Sequence, residues 1–177
     1  MLKTETFQNN QVVYLSFLSA LAITLFVVEN YIPKPLPFIK IGLANSILLL
    51  LIFQKKYFFS IIVGLAKVFI GNLLTGTLLT PGFLMSAFGT FFALLVMILF
   101  FYLPLGFGII GISVIGAVVH NLTQLVVVRW VLINNDSIFL LIPVMLVLGL
   151  ISGIISGYFA YYLKGIFQYE VINKKWT

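Results

Sequence analysis

The chain has 177 residues, of which 62% are hydrophobic and 8% carry a formal charge, with a net charge of +6 and no cysteine. A soluble domain carries roughly a quarter charged residues and just under half apolar ones, so this composition cannot cover a water-facing surface and requires a bilayer as solvent. The ten cations are scattered rather than gathered on one amphipathic face, which argues against nucleic acid as a partner, and the lack of cysteine excludes disulfides and thiolate metal sites.

The apolar runs are continuous rather than alternating, so they predict helices and not barrel strands. Six transmembrane helices are expected, forming one all-α domain over residues 1–177. The first covers 11–31 and is closed by Pro33, Pro35 and Pro37. Its apolar run is longer than a signal-peptide core, only Lys3 precedes it, and no small-x-small cleavage site follows, so it reads as a retained helix. The second, over 38–53, ends in the basic turn Gln54-Lys55-Lys56. The third, over 57–79, stops at the breaker Thr80-Pro81-Gly82. The fourth covers 83–103 and ends at Pro104; the fifth covers 106–133 and turns at Asn134-Asn135-Asp136; the sixth covers 137–163. Each reaches or approaches the roughly 20 residues that cross about 30 Å of hydrocarbon.

An even number of crossings puts both termini on one side, with Lys3, Lys55, Lys56, Lys164, Lys174 and Lys175. The other side holds Lys34 and Lys40, with Arg129 nearby. The excess of cations places both termini in the cytoplasm of a cell membrane.

Polar groups inside a bilayer cost free energy unless paired or hydrated, and are functional candidates for that reason. At roughly 100° per residue, Ser60, Gly64, Lys67, Gly71 and Thr75 fall on one stripe of the third helix, with a cation at its centre. His120 marks the middle of the fifth helix, with Asn121 and Gln124 on its side, and Arg129 pointing roughly opposite near the end. Lys67 and His120 share a depth and are expected to face one cavity. For Asn72, Asn121 and Gln124 two readings stand, ligand contact or hydrogen bonding between helices. A midplane ammonium without an assured acidic partner points to an incoming anionic or polar group. Glu29 is expected to pair with Lys34 or Lys40 outside, as a loop-ordering contact. Gly149, Gly153 and Gly157 repeat every four residues, and Ser16 and Ala20 give a weaker version in the first helix. Such stripes let backbones approach closely, within the bundle or against a partner.

Enzyme readings are poor. The acids are Glu5, Glu29, Asp136 and Glu170, so no paired-aspartate magnesium motif exists; no phosphate-binding loop is present, and one histidine without cysteine cannot make a usual zinc site. No metal and no cofactor is expected.

At Glu29-Asn30-Tyr31-Ile32-Pro33, Lys40-Ile41-Gly42-Leu43-Ala44-Asn45, the segment from Lys67 to Leu78 and the segment from Gly111 to Gln124, the chain resembles the Gx transporter family. Its members are commonly labelled heptaprenyl diphosphate synthase component I. That family is similar in size and layout to the substrate-binding S components of energy-coupling factor (ECF) transporters. The resemblance implies an S-component-like bundle that works with a transmembrane coupling subunit and an ATPase pair. It implies docking of the first helix through Ser16 and Ala20, where Ser16 stands in place of the usual alanine, and a ligand enclosed by outer loops and helices four to six. The residues named for a small-molecule substrate are Lys40, Lys67, Asn72, His120, Asn121 and Gln124. The expected ligand is a cofactor or vitamin precursor, anionic or related to quinones or isoprenoids. Two other functions stay open: a non-transport membrane partner of an isoprenoid, menaquinone or extracellular electron-transfer system, and a self-sufficient channel.

Overall fold

The computed structural model describes the backbone of residues 2–33 and 42–173 and the side chains of 12–33 and 42–167. Among the described residues it is all helical. The order is α1 (Leu2–Tyr31), α2 (Leu43–Phe53), α3 (Tyr57–Leu74), α4 (Pro81–Tyr102), α5 (Ile109–Val131), a 3₁₀ turn (Asp136–Leu141) and α6 (Ile142–Asn173). Five of these helices are long and apolar enough to cross a membrane; α2 is not. Its 11 residues rise only about 16 Å, roughly half of a hydrocarbon core.

The expected boundaries shift for identifiable reasons. No proline or glycine interrupts 2–31, so α1 begins well before residue 11. α3 ends at Leu74 and not at 79, because Gly76 takes a left-handed backbone (φ +68°). The Gly76 N–H then donates to the Leu73 carbonyl at 3.2 Å and the Thr77 N–H to the Asn72 carbonyl at 2.8 Å, the paired bonds of a Schellman cap. Pro81 opens α4, where its missing N–H costs nothing. Gly165 does not stop α6, which runs to Asn173. The part of the second expected helix before Gly42 lies outside the described residues.

α2 is apolar all round and is the centre of the bundle: Ile47, Leu48, Leu49, Leu50, Leu51 and Ile52 are all buried, as such a helix must be. Two hydroxyls pin it. Ser46 donates to the Ser156 carbonyl of α6 at 2.9 Å, and Ser60 of α3 donates to the Leu48 carbonyl at 3.0 Å. The longer helices surround it and turn residues such as Phe69, Phe91, Leu99, Val147 and Ile154 outward.

At the end carrying the 54–56 turn, Tyr14 accepts a hydrogen bond from Gln54 at 2.7 Å, and the Lys56 ammonium lies 4.7 Å from the Tyr14 ring centroid. Burial holds the Lys56 pKa below the usual lysine range. Lys164 sits 5.5 Å from the Phe53 ring centroid. These are amphipathic contacts of a membrane–water boundary. At the opposite end Arg129 turns to the boundary, donating to Asp136 at 2.7 Å and Asn134 at 2.6 Å, and Trp130 is exposed.

The glycine stripe of α6 faces α5. A Cβ at Gly149, Gly153 or Gly157 would come within 2.9, 2.5 or 2.9 Å of the Cα of Val118, Val114 or Ile110. Backbone lies on backbone there, inside the bundle. Gly153→Val should therefore force α5 and α6 apart and cost about 1–3 kcal/mol, the usual range for overpacking. A lowered unfolding temperature in detergent checks this, against no change for Gly165→Ala, where a Cβ meets nothing within 4 Å among the described residues.

Candidate functional site

The half-length α2 places its N-terminus near the middle of the bundle. Gly42 caps it in a left-handed conformation (φ +81°) that favours glycine. Rise per residue puts other groups at this level. Lys67 lies ten residues into α3 and His120 eleven into α5, each roughly 15–17 Å from the helix start. The polar stripe of α3 faces inward: Ser60, Gly64, Lys67 and Gly71 are buried and Thr75 is half-buried.

Glu29 near the end of α1 is 3% exposed, and its Oε1 accepts a hydrogen bond from the Gly42 N–H at 2.6 Å. A carboxylate at a helix N-terminus satisfies an open amide and complements the helix dipole. The expected pairing of Glu29 with Lys34 or Lys40 falls on residues outside those described; Glu29 itself is buried. Lys67, 2% exposed, donates from Nζ to Oδ1 of Asn45 in the first turn of α2.

Two small cavities open here. One is lined by Glu29, Lys67, Ser86 and Thr90 together with Gly42, Asn45 and His120. The other is lined by Met97, Ser113, Asn121, Ser152 and Ser156, again with Gly42, Asn45 and His120. Each has a volume of about 10 Å³, room for roughly one water molecule. Asn45 and His120 are thus the partition between them, and every helix of the bundle reaches one lining or the other.

Of the residues singled out from the sequence, Lys67, His120 and Asn121 line this space. Asn121 also donates to the Met145 carbonyl of α6 at 3.4 Å. Gln124 stands behind the site: its Nε2 lies 3.0 Å from His120 Nε2, and its Oε1 is buried with no hydrogen-bond partner among the described residues. Asn72 lies outside both linings and serves the α3 cap, donating to the Val68 carbonyl at 2.6 Å and accepting from Thr77 at 2.8 Å. Lys40 lies outside the described residues. Ser16 and Ala20 sit on the outer face of α1, both exposed.

Sequence reasoning passed over Glu29, Asn45, Ser86 and Thr90 as members of the site. The last two carried a readable signal. Ser86, Gly89, Thr90 and Ala93 follow helical spacing in an otherwise bulky run and make one small, polar face of α4, all four buried. Gly89 gives the imidazole its place, since a Cβ there would lie 2.8 Å from His120 Cε1. His120 is the single histidine of the chain, so selective ¹⁵N-histidine labelling reports on this ring alone. Gly89→Ala should move its ring ¹⁵N resonances, while Gly165→Ala leaves them in place.

Residues 18–163 match the family model described as heptaprenyl diphosphate synthase component I. No curated protein and no solved structure matches the chain. The family match takes in α2 to α5, both cavities, the cap of α3 and the glycine-packed contact of α5 with α6, which is most of the sequence. The chain belongs to the heptaprenyl diphosphate synthase component I family.

Proposed function

We propose that this chain is the substrate-binding membrane subunit of an ECF-type importer, taking up a small cofactor or vitamin precursor. One observation carries the reading: a buried cluster of polar and charged side chains lining two small cavities around the N-terminus of a half-length helix. A discontinuous helix whose positive end opens on polar side chains in the bilayer interior is how many transporters build a substrate site. A protein made only to sit in lipid has no need to place Glu29, Lys67 and His120 together there.

Energy comes from elsewhere in this reading. The sequence carries no phosphate-binding loop, so an ATPase pair and a coupling subunit supply it, and the chain itself catalyses no reaction. The family description as a "component I" supports a protein that works with others. Ser16 and Ala20, small and exposed on α1, offer the coupling subunit a face for close helix packing. Both termini lie in the cytoplasm of the cell membrane, on the side of Lys55, Lys56 and Lys164.

The same family description favours a second reading, a non-transport membrane partner of isoprenoid or menaquinone synthesis or of extracellular electron transfer. Affinity purification of the tagged chain from its native membrane separates the two. ATPase and coupling subunits are expected; a soluble prenyl synthase in their place would overturn the importer.

Two substitutions test the parts. Lys67→Ala should lower substrate uptake by about 30-fold or more, the consequence of truncating one partner of a buried hydrogen-bonded charge, while the purified protein stays folded. Undiminished uptake would remove Lys67 from the site. Ala20→Leu should abolish recovery of the coupling subunit without altering the unfolding temperature of the isolated chain.

A further inference from the structure

Lys67 considered alone calls for an anion. The structure changes that expectation, because Glu29 lines the same small cavity. Among the described residues, with His120 neutral, the formal charges on the two linings are +1 from Lys67 and −1 from Glu29, and they cancel. Among the described residues the second cavity adds amide, hydroxyl and thioether groups and no charge.

A lone anion drawn to Lys67 is repelled by the carboxylate that lines the same cavity. A lone cation drawn to Glu29 meets the ammonium in the same way. In an interior of low effective dielectric both repulsions are strong, and neither ion recovers the hydration it gives up. A ligand that carries an acceptor and a donor on neighbouring atoms escapes this. Its acceptor faces Lys67, its donor faces Glu29, and the amide of Asn45 can serve either. The remaining body of the ligand can extend past Asn45 and His120, which line both cavities, toward Ser113, Ser152, Ser156 and Met97.

We propose that the site takes a net-neutral small molecule presenting a hydrogen-bond acceptor beside a donor, as in an amide, an imide or an amino-acid zwitterion, and that Glu29 is the specificity-determining residue that rejects simple anions. This rests on the substrate-binding reading above and narrows its ligand class.

The full-length chain in nanodiscs is tested by thermal unfolding and calorimetric titration with four size-matched three-carbon probes at millimolar concentration: propionamide, β-alanine, propionate and propylamine. Propionamide and β-alanine are expected to bind wild-type protein and raise its unfolding temperature, while propionate and propylamine do not. Glu29→Gln should raise propionate affinity by about tenfold or more, and Lys67→Gln should do the same for propylamine. A merely structural role for either charge would not produce this crossed pattern. Should the single variants fail to fold, Glu29→Gln combined with Lys67→Gln keeps the charge balance and is expected to retain propionamide while losing β-alanine.

Propionate binding to wild type as tightly as propionamide overturns the proposal, as does a wild type silent to all four probes. The importer reading fails by a different result. Probes that bind as expected to a chain that purifies without ATPase and coupling subunits leave the ligand class standing and remove the transport role. Coupling subunits recovered with a protein that prefers propionate do the reverse.

Discussion

A helix that stops in the middle of a hydrocarbon slab leaves amide groups that lipid cannot satisfy, and the rest of this bundle is arranged around that problem. The N-terminus of α2 lies at Gly42, about 16 Å of helix from its other end and roughly half of a hydrocarbon core. The Gly42 N–H goes to Glu29, which draws a carboxylate into the interior. Such a group is tolerated where cationic and hydrogen-bonding groups stand close by, and Lys67, Asn45 and the hydroxyls of Ser86 and Thr90 stand around the same space. One unsatisfied backbone group thus brings together side chains from four helices. Continuing α2 to the far side of the membrane would remove the reason for the cluster and fill the space it occupies.

Small residues make this crowding possible. The backbones of α5 and α6 touch along the Gly149, Gly153 and Gly157 stripe, which fixes Asn121 against α6 and brings Ser152 and Ser156 toward His120. Gly89 on α4 admits the imidazole from the other direction, and Gln124, one turn along α5, holds it from behind. The bilayer supplies no hydrophobic drive between helices, so close packing and interhelical hydrogen bonds must do this work. The outer surface of α1 is different: its small residues Ser16 and Ala20 are exposed.

Helical periodicity in lipid is legible because the bilayer demands it. Continuous apolar runs, proline and glycine breakers and basic turns identified six helices, and the inward stripe of α3 followed from 100° arithmetic. Errors arose where a local cap or a missing breaker decided the length. Gly76 ended α3 through its left-handed backbone, although Thr80-Pro81-Gly82 looked like the stronger stop. The described α2 has 11 residues after Gly42, and the expected stretch 38–41 lies outside the described residues.

Composition and pattern alone established a multi-helix membrane protein with Lys67 and His120 at matching depth, because burial in hydrocarbon constrains which residues any segment can carry. Only the tertiary structure could show that Glu29 shares their space, that Asn45 and His120 divide it, and that Asn72 belongs to a helix cap. Those facts depend on which helices are neighbours and how far each penetrates. A carboxylate 38 residues from Lys67 along the chain becomes its neighbour through the packing of α1 on α2 and α3, a relation that no spacing rule within one helix contains.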